Sequence, residues 1–144
     1  MITFFHREFD VDVPLELAWQ HLAKVGQWPT WARHLKRIYV EPPGELKLKS
    51  VLRFELKNGV KMSYKVIELD PPRHWKRSGQ FLWFTIYYDH KFESVASDRT
   101  KLVWTYSFDG FMESSVGRLF AAFHKWDLDK ALPNLIAEMN ALNR

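Results

Sequence analysis

The 144-residue chain is expected to form one α+β domain: about seven strands in an antiparallel sheet, two short helices after the first strand, and a long C-terminal helix. Three observations lead there. Between Ile38 and Gly110 apolar and polar residues alternate with a period of two, and turn chemistry breaks the alternation at intervals. After Gly110 the apolar spacing switches to that of a helix. Before Ile38 a strand pattern gives way to two short helical ones. No repeat, low-complexity tract or Ser/Gly linker divides the chain, so residues 1–144 read as a single domain.

The first strand runs from Ile2 to Val11, with Phe5, Phe9 and Val11 on one parity and His6, Glu8 and Asp10 on the other. Because Phe4 and Phe5 are adjacent, either His6 or Arg7 could face inward, and an inward Arg7 favours an anionic ligand head group. Asp12 precedes Pro14, Leu15 and Glu16, and Leu15, Ala18, Trp19 and Leu22 follow at helical spacing, the start signature of an amphipathic helix with proline in its first turn. Gly26 ends it. Trp28-Pro29-Thr30-Trp31 then opens a second helical piece to about Leu35.

The meander is punctuated at Pro42-Pro43-Gly44, Asn58-Gly59, Asp70-Pro71-Pro72 and Ser97-Asp98, of which Asn58-Gly59 is the sharpest hairpin signal. Leu48, Leu52, Phe54 and Leu56 share a parity before it, and Met62, Tyr64 and Val66 share one after it. Further on, Ile86, Tyr88, His90 and Phe92 form one face of a strand, and Leu102, Trp104, Tyr106 and Phe108 one face of the last. The final helix, from about Met112 to Asn143, carries Val116, Leu119, Phe120, Phe123, Leu128, Leu132, Leu135, Ile136, Met139 and Leu142 in one stripe. Pro133 interrupts it, which predicts a bent helix or two consecutive ones.

Composition narrows the chemistry. The absence of cysteine excludes disulfides, thiolate metal sites and cysteine nucleophiles. The longest apolar run, Leu119 to Phe123, falls far short of the roughly 20 residues a membrane-crossing helix needs. Charged Arg7, Glu8 and Asp10 stand where a signal peptide would be apolar, so a soluble, cytoplasmic protein is expected. Histidines at 6, 21, 34, 74, 90 and 124 show no ligand spacing, and no phosphate loop, Gly-x-Ser-x-Gly elbow or dinucleotide fingerprint occurs. No metal and no cofactor are therefore expected.

A net charge of +4 does not demand nucleic acid, and none is expected as a partner. The stripe Lys47, Lys49, Arg53, Lys57, Lys61 and Lys65, with Arg33, Lys36, Arg37, Arg73, Lys76 and Arg77 elsewhere, reads as a solvated outer face, the alternative being an anionic membrane or RNA. Phe81-Leu82-Trp83-Phe84 reads as a cavity rim, a membrane-dipping loop, a dimer contact or a buried strand start. Transient membrane contact thus stays open. The 7 Trp, 11 Phe and 5 Tyr exceed what core volume requires, and an aromatic-lined cavity is one use for them.

The element order, together with Val11-Asp12-Val13-Pro14-Leu15-Glu16-Leu17-Ala18-Trp19, the Trp28-Pro29-Thr30-Trp31 pair and Val66-Ile67-Glu68-Leu69-Asp70-Pro71-Pro72-Arg73, resembles the START/SRPBCC superfamily, in particular its polyketide cyclase/dehydratase-like branch. The resemblance covers the whole chain. Lys47-Leu48-Lys49-Ser50 departs from it where relatives often have a Gly-containing turn. It implies a helix-grip fold, in which a curved sheet wraps the C-terminal helix and leaves an apolar cavity for lipids, sterols, polyketides, quinones or hormones. Some members catalyse cyclisation or dehydration there.

The expected function is binding, transport or sensing of a hydrophobic small molecule in that cavity. Tyr64, Tyr88, His90, Phe92, Trp104, Tyr106, Phe120 and Phe123 are the candidate ligand-binding residues, and Ser50 is a further polar tip on the inner parity. The alternative is a polyketide aromatase/cyclase or dehydratase in which His90 and a Tyr hydroxyl, Tyr88 the first candidate, act as acid and base. Against it stands the more ordinary reading of His90 as a core histidine hydrogen-bonded to a neighbour.

Overall fold

The structure, a computed structural model, describes residues 2–81, 83–110 and 115–142. Leu82 and Met112, on which expectations fell, lie outside the described residues, as do the side chains of Phe84 and Val116. Along the chain come β1 (Ile2–Val11), α1 (Leu15–Ala23), a 3-10 helix (Val25–Thr30), β2 (Leu35–Glu41), β3 (Val51–Leu56), β4 (Lys61–Asp70), β5 (His74–Phe81), β6 (Phe84–Ala96), β7 (Arg99–Asp109) and α2 (Ser115–Ala141). The seven strands make one antiparallel sheet in the order β1-β7-β6-β5-β4-β3-β2. Consecutive β1 and β2 are thus its opposite edges, and α1 with the 3-10 helix carries the chain from one to the other. This is the helix-grip arrangement, with α2 lying across the inner face.

Alternation did place that face. Leu52, Phe54, Met62, Tyr64, Val66, Ile86, Tyr88, His90, Phe92, Leu102, Trp104, Tyr106 and Phe108 are all buried. A bulge between Thr3 and Phe5 shifts the register of β1 against β7 and lets adjacent Phe4 and Phe5 both face inward. Phe4 lies 5.3 Å from the ring of Phe108 and 5.8 Å from that of His124, while Phe5 stacks on Tyr106 at 5.0 Å. Arg7 joins the inner side but is committed to α2, donating from Nε and Nη2 to the two carboxylate oxygens of Asp129 at 3.1 Å each. His6 faces out, 2.9 Å from the Thr105 hydroxyl.

Four local expectations are corrected. Pro14 stands at the N-cap of α1 and not in its first turn, with no side-chain cap, and the Asp12 N–H donates to Asn140 Oδ1 at 2.8 Å. The second helical piece is the 3-10 helix that begins at Val25 and contains Gly26, and Leu35 already opens β2 by pairing with Leu56. Leu48 is 55% exposed in the loop before β3, because Lys49 takes a left-handed φ of 71° and turns the chain there. In the same turn Ser50 Oγ accepts from the Lys47 N–H at 2.9 Å, so Ser50 staples the loop and does not face a ligand. Finally, α2 runs as one helix through an exposed Pro133, the first of the two alternatives, and the expected single stripe is in fact two faces, since Leu119 and Leu135 stand about 160° apart around its axis. Leu128, Ala131, Leu132, Leu135 and Met139 are buried, whereas Leu119, Phe123 and Leu142 are exposed.

The C-terminal half of α2 is clamped. Besides Arg7 with Asp129, Glu138 accepts from the Thr30 hydroxyl at 2.9 Å and lies 2.9 Å from His21 Nε2, and Asn134 donates to the Trp31 carbonyl at 3.3 Å. The N-terminal half meets the sheet through Phe120, which stacks on Phe81 at 4.6 Å, and through His124, which lies 2.8 Å from the Tyr88 hydroxyl. No helix among the described residues is long and apolar enough to cross a membrane.

Candidate functional site

Between the sheet and the N-terminal half of α2 lies a cavity of about 160 Å³. Trp28, Trp31 and Leu35 wall it from the helical connection, Phe54, Met62, Tyr64, Trp104 and Tyr106 from the sheet, and Phe120, Phe123, His124 and Leu128 from α2. Among its lining residues Asn58, Val60 and Phe123 are exposed, which puts the mouth between the β3–β4 turn and α2. An apolar space of about 150 Å³ takes a benzene-sized guest. The enclosed part therefore holds one ring or a chain end, and a larger ligand has to extend through the mouth.

Arg77 is the charged group of this cavity floor. It is 4% exposed, and its Nε and Nη1 have no hydrogen-bond partner among the described residues. Five rings surround the guanidinium: Tyr88 at 4.1 Å, Tyr64 at 4.6 Å, Phe54 at 4.7 Å, Trp28 at 5.1 Å and Trp75 at 5.8 Å. Ring faces attract a cation without accepting its N–H hydrogens in good geometry. A buried guanidinium, permanently charged, normally demands a carboxylate or several acceptors. Gly79 makes the cage possible. It pairs with Tyr64 across β4 and β5, and a Cβ there would stand 2.8 Å from the Ser63 carbonyl oxygen and run into the Tyr64 ring.

Beside Arg77 runs a short polar chain. The Tyr64 and Tyr88 hydroxyls are 3.2 Å apart, Tyr64 also donates to Met62 Sδ at 3.2 Å, and Tyr88 lies 2.8 Å from His124 Nε2. Burial holds these groups uncharged. It pulls His124 down to about 3, helped by His34 and Arg77. It raises Tyr88 well above the usual phenol value and lifts Tyr64 and Tyr106 as well, with Arg77 opposing in each. At the mouth His34 is lowered by burial, Asp127 pulling it up and Lys57 pushing it down.

Of the sequence candidates, Tyr64, Trp104, Tyr106, Phe120 and Phe123 line the cavity. Tyr88, His90 and Phe92 stand behind the lining. Tyr88 reaches the site through its hydroxyl contacts. His90 is stacked on Trp75 at 4.5 Å and edged by Trp104 and Tyr106 at 5.4 and 5.5 Å, and Phe92 packs on Trp19 at 5.1 Å. Burial takes His90 well below its ordinary value, so it is a neutral core histidine.

Sequence reasoning missed Arg77, His124, His34 and Asp127. Arg77 had been counted with the surface cations, although Trp75, Arg77 and Gly79 share one parity after the Pro71-Pro72 turn, a signal that it faces inward. His124 falls four residues from both Phe120 and Leu128 on the helix stripe. On the outer face of the sheet Glu68, His74 and Asp89 bring ligand-type atoms within 4.8 Å, but His74 Nε2 is bonded to Asp89 and its Nδ1 lies 3.8 Å from Glu68, an ion-pair cluster.

A family model described as "Polyketide cyclase / dehydrase and lipid transport" matches residues 4–140. No curated protein sequence matches the chain. Among solved structures, XoxI from Bacillus cereus superposes with a TM-score of 0.77 at 15% identity, covering 100% of this chain and 99% of that one. A START superfamily protein from Mycobacterium smegmatis gives 0.76 at 12% identity, covering 96% and 97%. The aromatase/cyclase Zhui from a Streptomyces species gives 0.64 at 18% identity, covering 95% and 88%. At these identities the likeness is one of fold.

Proposed function

We propose, since the chain belongs to the polyketide cyclase/dehydrase and lipid transport family, that it binds and carries an amphipathic organic acid inside the cytoplasm. The acidic group sits against Arg77 and the apolar body extends between the aromatic walls to the mouth. One observation carries this reading: a guanidinium 4% exposed, in no ion pair among the described residues, on the floor of a mainly apolar, aromatic-walled cavity. An anionic oxygen can satisfy an orphaned donor, and a charge-assisted hydrogen bond gains strength where water is excluded. Tyr64, Tyr106, Trp104, Phe120 and Phe123 supply ring contacts to the ligand body.

The test compares benzoate-type and medium-chain carboxylic acids with their matched alcohols by calorimetry, on the natural chain and on Arg77→Met. The acids are expected to bind and the alcohols to bind at least tenfold more weakly, since a hydrogen bond to a charged group contributes about 1.5–3 kcal/mol. Arg77→Met should abolish the preference while stabilising the empty protein by about 1–3 kcal/mol, because it removes an uncompensated buried charge. Equal binding of acid and alcohol, unchanged by the substitution, would overturn the reading.

A second reading, cyclisation or dehydration of a polyketide-like substrate, is favoured by the 2.8 Å contact between Tyr88 and His124, which moves the acid/base pair from His90 to His124. Both groups are held far from neutrality, His124 below and Tyr88 above, which weakens general acid/base work at neutral pH. Under this reading His124→Asn abolishes turnover and spares affinity; under the carrier reading there is no turnover to lose.

A further inference from the structure

We propose that the ligand carries a second oxygen, of a carbonyl or an ether, that accepts a hydrogen bond from the Trp104 indole N–H, so that it is an oxo- or alkoxy-substituted aromatic acid. This rests on Arg77 being the anchor of an organic acid, and narrows which acid. Trp104, on the inner face of β7, is 2% exposed and walls the cavity, and its Nε1 has no hydrogen-bond partner among the described residues. A buried indole N–H usually finds an acceptor, and one left unpaired costs free energy. Trp28 shows the ordinary case: it lines the same cavity, and its Nε1 donates to the Leu22 carbonyl at 3.0 Å. Around Trp104 the rings of Phe9 at 5.2 Å, His90 at 5.4 Å, and Trp31 and Tyr106 at 6.1 Å pack without accepting its N–H. His90 Nε2 is also without a partner, but that ring stands behind the lining, out of reach of a ligand.

Register sets the spacing of the two donors. Arg77 on β5 pairs with Tyr88 on β6, and Tyr88 with Tyr106 on β7, so Arg77 and Trp104 stand two strands and two residues apart on one face. With strands about 4.8 Å apart and a rise of about 3.4 Å per residue, their α-carbons are roughly 12 Å from each other. Two hydrogen bonds of about 2.9 Å with one substituted ring between them cover a span of this order. A guanidinium and an indole N–H only donate, so the wall asks for acceptors at two points and offers nothing there to an amine. A hydroxyl also accepts, but it brings a proton that needs an acceptor in turn, whereas a carbonyl or ether oxygen does not.

Calorimetry with 3- and 4-acetylbenzoate against 3- and 4-isopropenylbenzoate tests this, since the members of each pair match in shape and differ in the oxygen. In at least one pair the ketone is expected to bind about fivefold more tightly or better, and Trp104→Phe, which keeps an aromatic ring and removes the N–H, should bring the two within about twofold. The comparison on the natural chain stands by itself if Trp104→Phe fails to fold, which circular dichroism reports. Equal binding of ketone and hydrocarbon in both pairs, or a ketone preference that survives Trp104→Phe, would each overturn the proposal, the first by leaving the indole N–H to a buried water. The matched benzyl alcohols, which keep the second oxygen and lack the acid, separate the two anchors. Acids preferred to alcohols with no preference for the ketones would sink the Trp104 contact alone; no preference for the acids would sink the Arg77 anchor and this proposal with it.

Discussion

Arg77 and Gly79 act as a pair two residues apart on the inner face of β5. The glycine leaves room for the Tyr64 ring to lie over the strand, and that ring in turn covers the guanidinium at 4.6 Å. The space is used up, so the smallest addition is felt: Gly79→Ala should destabilise the fold by about 1–3 kcal/mol through overpacking against the Ser63 carbonyl and Tyr64. It should also weaken acid binding by displacing Tyr64 from Arg77. Urea unfolding and calorimetry on the same sample check this, and an alanine variant of natural stability and affinity would show that Tyr64 is free to move aside.

Within α2 two opposite faces do different work. Leu135 is fully buried under the clamp formed by Asp129, Asn134 and Glu138, whereas Leu119 projects to solvent. Leu135→Ala is therefore expected to cost about 2–5 kcal/mol, and Leu119→Ala to change stability by no more than about 0.5 kcal/mol. Urea midpoints of the two variants decide it; equal losses would mean that Leu119 is packed as firmly as Leu135. Pro133 fits this division, since it sits exposed in the clamped half, where neighbouring contacts offset the roughly 3 kcal/mol a helix-interior proline costs.

One buried and two partly buried histidines give the whole molecule a pH dependence. His34, His90 and His124 are all lowered, chiefly by burial, and His124 reaches about 3. Below an unfolded value near 6.5 the unfolded chain takes up protons that the native state refuses, so unfolding is favoured as pH falls. Their stabilising effect is complete above about pH 6.5 and declines below it by about 1.4 kcal/mol per pH unit for each histidine still held neutral. Urea unfolding at pH 7.5 and pH 5 measures the slope. Equal stability at the two values would mean that the fold protonates these rings as readily as the unfolded chain does.

Strand parity, turn positions and element order could be read along the chain because each depends on residues close together: a period of two, an Asn-Gly or Pro-Pro turn, a helical stripe. The inner face, the seven-strand sheet and the aromatic walls followed from that local information. What it could not convey was depth. Tyr88, His90 and Phe92 share a parity with the lining, yet how far each stands from the cavity depends on the packing of α2 and the helical connection over the sheet. Likewise Leu119 and Leu135 stand about 160° apart around the axis of α2, and which side of the helix is buried is settled only when it packs on the sheet. Arg77 shows the limit most plainly. Its charge suggested solvent and its parity suggested burial, and the contest is settled by rings contributed from five places in the chain, which meet only once the domain has closed.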